Sequence, residues 1–173
     1  CLNHFSHFNK ERPLKKILDF GSGIGNEAFF LSKTLGSSVD CINISEEENK
    51  GAEQLLATGE EDVVKNIKFI TGDEDSFKPT EKYDALHLGE VLEHQPCAKT
   101  FMEKLHKHLK HEAPVVITFP LGIWQDVRHA HLWNYERKDL EEIFGNQKNL
   151  SIQCCTGPPN LQQSDVLGWW IIS

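Results

Sequence analysis

Several things are missing from this sequence, and each absence narrows what the protein can be. No stretch is long and apolar enough to cross a membrane; the run Val115-Val116-Ile117-Thr118-Phe119 is the length of a strand. A basic excess is also missing. Lys and Arg number 18 against 26 Asp and Glu, a net charge of −8, which argues against a protein that holds nucleic acid mainly by its phosphates. The five cysteines (Cys1, Cys41, Cys97, Cys154, Cys155) form no C-x-x-C pair and are odd in number. That argues against a disulfide framework and disfavours a cysteine zinc site, so reduced thiols and a cytoplasmic setting are expected. Internal repeats and low-complexity runs are absent.

What remains is globular. The 173 residues, 39% hydrophobic and 25% charged, are enough for one domain with a real core and too few for two ordinary ones. A chain starting at Cys1 and stopping at Ile171-Ile172-Ser173, inside a strand-like stretch, is expected to be a single domain (1–173) cut from a larger polypeptide and fused to other domains.

The most informative stretch is Lys16-Ile17-Leu18-Asp19-Phe20-Gly21-Ser22-Gly23-Ile24-Gly25-Asn26. Ile17, Leu18 and Phe20 predict a buried strand, and Ala28, Leu31 and Leu35 recur at helical spacing beyond the glycines. A strand running through a glycine turn into a helix brings bare backbone close to a ligand and aims the free N–H groups of the first helical turn at it. Asp19 stands where a carboxylate can accept hydrogen bonds from turn amides or face a cationic ligand. The spacing is G-x-G-x-G, one residue short of the dinucleotide fingerprint.

Strand and helix then alternate. Strands are expected at Val39–Ile44, Asn66–Thr71, Tyr83–Leu88 and Val115–Phe119, the last closed by Pro120. Gly36 should cap the first helix. Ser45 with Glu48 three positions on forms a capping box for a second helix, and Cys97–Lys110 reads as a third. Residues 1–13 carry little pattern and read as an irregular lead-in or partial helix. After a helix at Asp139–Phe144 come two strands, Leu150–Cys155 and Val166–Ile172, joined without a helix between them. The predicted architecture is α/β: a doubly wound, mostly parallel seven-stranded sheet with helices on both faces and an antiparallel C-terminal hairpin.

With these elements in order, the chain resembles a class I S-adenosylmethionine-dependent methyltransferase over nearly its whole length. Ile17-Leu18-Asp19-Phe20-Gly21-Ser22-Gly23-Ile24-Gly25 resembles the first motif of that family, Gly72-Asp73-Glu74 the motif that meets adenine, and Tyr83–His87 with Glu90–His94 the fourth-strand motif. The resemblance implies a donor held by Asp19, Phe20, Gly21, Ser22, Gly23, Gly25, Asn43, Ile44, Asp73, Glu74 and Gly89. It places Asn43 at the ribose, where the family usually has an acidic residue; an amide can accept from one hydroxyl and donate to the other.

Glu90, Glu93 and His94 follow the fourth strand at i, i+3 and i+4, so within one helical turn two carboxylates and an imidazole can converge. Such a set suits a hard or borderline cation. A second cluster, Arg128-His129-Ala130-His131-Leu132-Trp133, follows the fifth strand, whose end faces the same crevice. The pairing resembles the O-methyltransferase branches with an E-x-x-E-H motif: small-RNA terminal 2′-O-methyltransferases and enzymes of ubiquinone biosynthesis. That resemblance implies Mn²⁺ or Mg²⁺ held by Glu90, Glu93, His94 and His131. Without a metal, His129, His131 or His94 would be the base. Trp124 and Trp133 offer flat faces to a sugar. The resulting expectation is O-methylation of a small-molecule or glycan hydroxyl. The alternatives are methylation of an RNA end and a scaffold module that binds the donor without catalysis.

Overall fold

The computed structural model describes residues 2–121, 131–133, 135, 137–144, 151–156 and 166–172. Helix α1 (Leu2–Glu11) precedes strand β1 (Lys16–Phe20), followed by α2 (Asn26–Leu35), β2 (Ser38–Asn43), α3 (Glu46–Leu56) and the single turn α4 (Glu61–Val64). Then come β3 (Ile67–Thr71), β4 (Ala85–Gly89), a 3₁₀ turn at Leu92–His94, α5 (Ala98–His106), β5 (Val115–Leu121) and α6 (Arg137–Phe144). Two further extended segments lie at Ser151–Thr156 and Val166–Ile172.

Five strands form a parallel sheet in the order β3-β2-β1-β4-β5. The chain winds outward from β1 through β2 to β3, then returns to the other side of β1 for β4 and β5. The order therefore reverses between β1 and β4. In open sheets of this kind the crevice outside the carboxyl ends of the strands at the reversal is where ligands bind.

Parallel strands buried on both faces must send apolar side chains both ways. Leu18 and Phe20 of β1 join Ile42, Leu86, Leu88, Phe101, Leu105 and Ile117 on the α5 face. Ile17 joins Val39, Cys41, Ala85 and Val116 on the other face, where Ala28 and Leu31 of α2 and Phe5 of α1 cover it. Helices thus stand on both faces, as the alternation predicts.

Some boundaries differ from the sequence expectations, each for a local reason. Of the two alternatives for the lead-in, residues 2–11 take the helical one, with Phe5 fully buried against the sheet. Helix α5 ends at His106, and Tyr83 precedes β4 as an isolated bridge to Leu109. Strand β5 does not stop at Pro120. Its last residue paired with β4 is Thr118, opposite Gly89, so the missing proline N–H lies beyond that ladder. The capping box is half formed: Ser45 Oγ accepts from the Glu48 N–H at 3.1 Å, but the Glu48 carboxylate turns to Asn43.

Candidate functional site

Two turns meet at the reversal point, one after β1 and one after β4. In the first, Gly21, Gly23 and Gly25 all have left-handed backbones, with φ of 79°, 52° and 80°. The N–H groups of Gly21 and Ser22 both donate to the carbonyl of Ile42, at 2.8 and 3.2 Å, which ties the turn to the end of β2. A Cβ at Gly21 would lie 2.2 Å from Val91 Cγ2, and one at Gly25 would lie 2.8 Å from Phe69 Cζ. Gly23 differs: a Cβ there meets nothing within 4 Å among the described residues beyond its chain neighbours. Gly21 and Gly25 are therefore required by packing, whereas the space over Gly23 is open to a ligand.

Asp19 takes neither of these turn amides. Its Oδ1 lies 2.8 Å from His87 Nδ1, directly across the β1–β4 ladder, and both side chains are buried. Asp19 Oδ2 and His87 Nε2 are buried with no hydrogen-bond partner among the described residues. Phe5 packs its ring edge-on to His87 with centroids 6.2 Å apart, closing the pair from the α1 side. His87 is a site residue that sequence reasoning missed; the signal available was a lone histidine between Leu86 and Leu88.

The other expected donor contacts fall around the same crevice with differing character. Phe20 points into the core against Phe101, so only its backbone faces the crevice. Ser22 Oγ is buried beside the turn, and Ile44, just past β2, is 77% exposed. Asn43 is buried and its Nδ2 donates to Glu48 Oε2 at 2.8 Å. Asp73 is occupied locally: its Oδ1 accepts from the N–H groups of Asp75 and Ser76 at 3.1 and 2.7 Å, and the Ser76 hydroxyl first, then these N–H groups, hold its carboxyl below the ordinary range. Glu74 pairs with Lys104 at 3.2 Å.

The second turn begins at Gly89. Glu90 adopts a left-handed φ of 56°, unusual for a residue with a side chain, and its N–H donates to the Thr118 carbonyl at 2.9 Å. This strained residue marks where the chain leaves β4 abruptly for the 3₁₀ turn. Glu93 follows, fully buried, with both carboxylate oxygens lacking a hydrogen-bond partner among the described residues. Burial pushes its pKa up to about 8, and the Glu90 charge adds to that push.

The chain beyond β5 returns to this turn. The N–H groups of Leu132 and Trp133 donate to the Glu93 carbonyl at 2.9 and 3.2 Å, and Trp133 Nε1 donates to the Gln95 carbonyl at 2.8 Å. That docking stacks His131 edge-on to His94 with ring centroids 4.8 Å apart. Glu93, His94 and His131 then offer one ligand atom each, all within 4.8 Å of one another. Of the four expected ligands these three converge, and Glu90 stands outside the group. His129, Trp124 and Arg128 lie outside the described residues. A buried carboxylate with no hydrogen bond among the described residues, its Oε1 4.0 Å from His94 Nε2 and close to a second imidazole, fits a divalent ion and equally fits a proton-accepting site.

Comparison with known proteins bears on the family and the fold. A family described as "Methyltransferase domain" matches residues 18–115, from β1 into β5. The chain is 30% identical over 107 residues to a sarcosine/dimethylglycine N-methyltransferase of Aphanothece halophytica, a match covering 61% of this chain and 38% of that enzyme. It thus spans well under half of that relative's length. The methyltransferase domain of bacterial CtHen1 superposes with a TM-score of 0.68 at 18% identity, covering 99% of this chain and 96% of that one. The glycopeptide N-methyltransferase MtfA complexed with S-adenosylmethionine gives a TM-score of 0.65 at 13% identity, covering 99% and 93% of the two chains. At these identities the two structures speak for the fold.

Proposed function

Because the chain belongs to the methyltransferase domain family, we propose that it moves a methyl group from S-adenosylmethionine to the nitrogen of a small amine. The observation that carries this reading is the 30% identity to an enzyme named for N-methylation of sarcosine and dimethylglycine. It replaces the expectation of a sugar hydroxyl, which rested on a short motif and two tryptophans.

The residues at the crevice fit the donor. Gly23 leaves open space in the turn between the end of β1 and the first turn of α2, at the strand whose neighbours mark the reversal point. The buried Asp19 carboxylate carries an oxygen with no partner among the described residues, suited to a cationic group at the methionyl end. When bound, S-adenosylmethionine supplies a methyl group on a cationic sulfur, which a nucleophile in line with the leaving sulfur displaces. The protein's part is to hold that line and to take one proton from the amine. Glu93, with His94 and His131 beside it, is placed to accept the proton at a carboxylate oxygen or a ring nitrogen. Leu132 and Trp133, 55% and 49% exposed, border the group and offer apolar surface to the acceptor's carbon skeleton.

The reading extends to the sheet's far edge. The segment Val166–Ile172 has antiparallel register with β5, Thr118 opposite Trp169, and Ser151–Thr156 in turn pairs with it. Both registers support the seven-stranded sheet with a terminal hairpin expected from the sequence.

A second reading is favoured by the convergence of Glu93, His94 and His131. These three residues would hold Mn²⁺ or Mg²⁺, and the ion would make an acceptor hydroxyl easier to ionise. An acceptor panel of sarcosine-like amines, simple sugars and an RNA 3′ end, assayed with and without chelator, separates the readings. Methyl transfer confined to sugars or RNA ends would overturn the amine assignment.

A further inference from the structure

In the folded chain the glycine turn and the end of β2 form one surface, because the Gly21 and Ser22 N–H groups are both bound to the carbonyl of Ile42. The next side chain along β2 is Asn43. About 20 residues beyond a glycine turn, nucleotide sites of this layout place a carboxylate that accepts hydrogen bonds from ribose hydroxyls. Asn43 carries no charge to do this. It is buried, however, and its amide nitrogen donates to Glu48 Oε2 at 2.8 Å.

Glu48 is held at that point from two directions. Its own N–H donates to Ser45 Oγ at 3.1 Å, which fixes the first turn of α3 beside the strand end. Its carboxylate then turns away from the Ser45 backbone N–H, the partner a complete capping box would give it, and lies on Asn43 instead. Glu48 is exposed, and Asn43 takes only one of its two oxygens among the described residues. Glu46, its neighbour in the same turn, is engaged by Lys50 at 2.7 Å and does not compete for the position.

We propose that Glu48 supplies the carboxylate that the end of β2 lacks, with Asn43 as the positioning residue that delivers it. The pair reads the vicinal hydroxyls of the donor's ribose: Glu48 accepts from them, and the Asn43 carbonyl offers a second acceptor. The inference rests on the donor assignment above and goes beyond it by naming which residue of this chain recognises the sugar. A carboxylate here also rejects ligands whose ribose carries a phosphate, since two negative charges would face each other.

Calorimetry on the full chain tests this with S-adenosylhomocysteine and its 2′,3′-dideoxyribose analogue as probes. Wild type should prefer the intact ribose. Glu48→Ala should weaken S-adenosylhomocysteine binding about tenfold or more, because bonds to a charged acceptor are the strong ones. The same change should leave the dideoxy analogue almost untouched. Glu48→Gln should fall between the two, and Asn43→Asp in the Glu48→Ala background should restore the preference by returning a carboxylate to the strand end. A brace that only steadies α3 would shift both ligands equally or shift melting alone, and either result overturns the proposal. Wild type binding S-adenosylhomocysteine while Glu48→Ala keeps full discrimination would sink this inference and spare the donor assignment. Failure of wild type to bind either ligand would remove both.

Discussion

His87 Nδ1 and Asp19 Oδ1 meet at 2.8 Å across adjacent parallel strands, with less than 2% of either residue exposed. The pair joins the two strands between which the sheet order reverses, and Phe5 packs against it from the α1 side. Breaking a buried polar pair from one side leaves the other member unsolvated. His87→Ala should therefore destabilise the fold by about 3 kcal/mol or more, whereas replacing both partners with apolar residues should cost less than the two single changes combined. Urea unfolding of the two single variants and the double variant measures this, and additive losses would show that the pair has no mutual role.

Gly21 and Gly23 have similar backbones but opposite surroundings, so the same substitution should fail in different ways. Gly21→Ala sets a methyl 2.2 Å from Val91 Cγ2, a clash that only movement of one turn against the other relieves. It should cost roughly 2–4 kcal/mol, combining overpacking with a left-handed φ. Gly23→Ala meets nothing within 4 Å among the described residues beyond its chain neighbours and should lose about 1 kcal/mol from backbone strain alone. Its main effect should appear in calorimetry as weakened S-adenosylhomocysteine binding. Unchanged affinity in a folded Gly23→Ala protein would remove the donor from this turn.

The contrast between these glycines shows what a single sequence can and cannot display. The strand–glycine–helix unit was readable because apolar alternation and glycine placement are local, and β1, the turn and α2 follow them closely. Helix α1 was only half readable, as a partial helix or an irregular lead-in, since Leu2, Phe5 and Phe8 only acquire meaning once Phe5 has a sheet to cover. The role of His87 depends on register: only the pairing of Asp19 with His87 turns a histidine in an apolar strand into a partner. The E-x-x-E-H spacing predicted three ligands, Glu90, Glu93 and His94, on one helical turn, with His131 of the later cluster as the fourth. The chain instead leaves β4 through a left-handed Glu90 into a 3₁₀ turn, and three residues converge. The acceptor was the least readable feature, because tryptophans and a short acidic motif suit many acceptors and the amine reading comes from a relative.

Glu93 should make both stability and turnover depend on pH. Its carboxyl, ordinarily at 4.5, is raised to about 8 by burial. The folded protein thus keeps a proton that the unfolded chain releases above about 4.5. Its contribution to stability is complete below that pH and is lost as pH rises through about 8. In chelator, the urea midpoint should fall between pH 6 and pH 9, and Glu93→Gln should flatten that slope. Turnover should move the other way, rising as the carboxyl ionises, with the limb near pH 8 absent from Glu93→Gln. An identical stability slope in both proteins would show that Glu93 titrates normally.

Metal removal separates the two chemical readings, because they give Glu93, His94 and His131 different work. As a proton-accepting group the three need no ion, so methyl transfer to a sarcosine-like amine should survive excess chelator with less than a twofold change. His131→Ala should then slow turnover by about 10²-fold, the usual size of a lost acid–base contribution, with little change in S-adenosylhomocysteine affinity. As an ion-binding group the same residues depend on one another through the metal. Chelator would then abolish turnover, Mn²⁺ or Mg²⁺ would restore it, and His131→Ala would raise the ion concentration needed. The docking of Leu132 and Trp133 on the Glu93 carbonyl provides a control. Trp133→Phe removes the indole N–H donated to the Gln95 carbonyl, together with part of the ring, and should loosen the approach of His131 to His94. Under the amine reading that variant should lose rate at every ion concentration. A loss that added Mn²⁺ repairs would move the assignment to a metal-assisted hydroxyl acceptor.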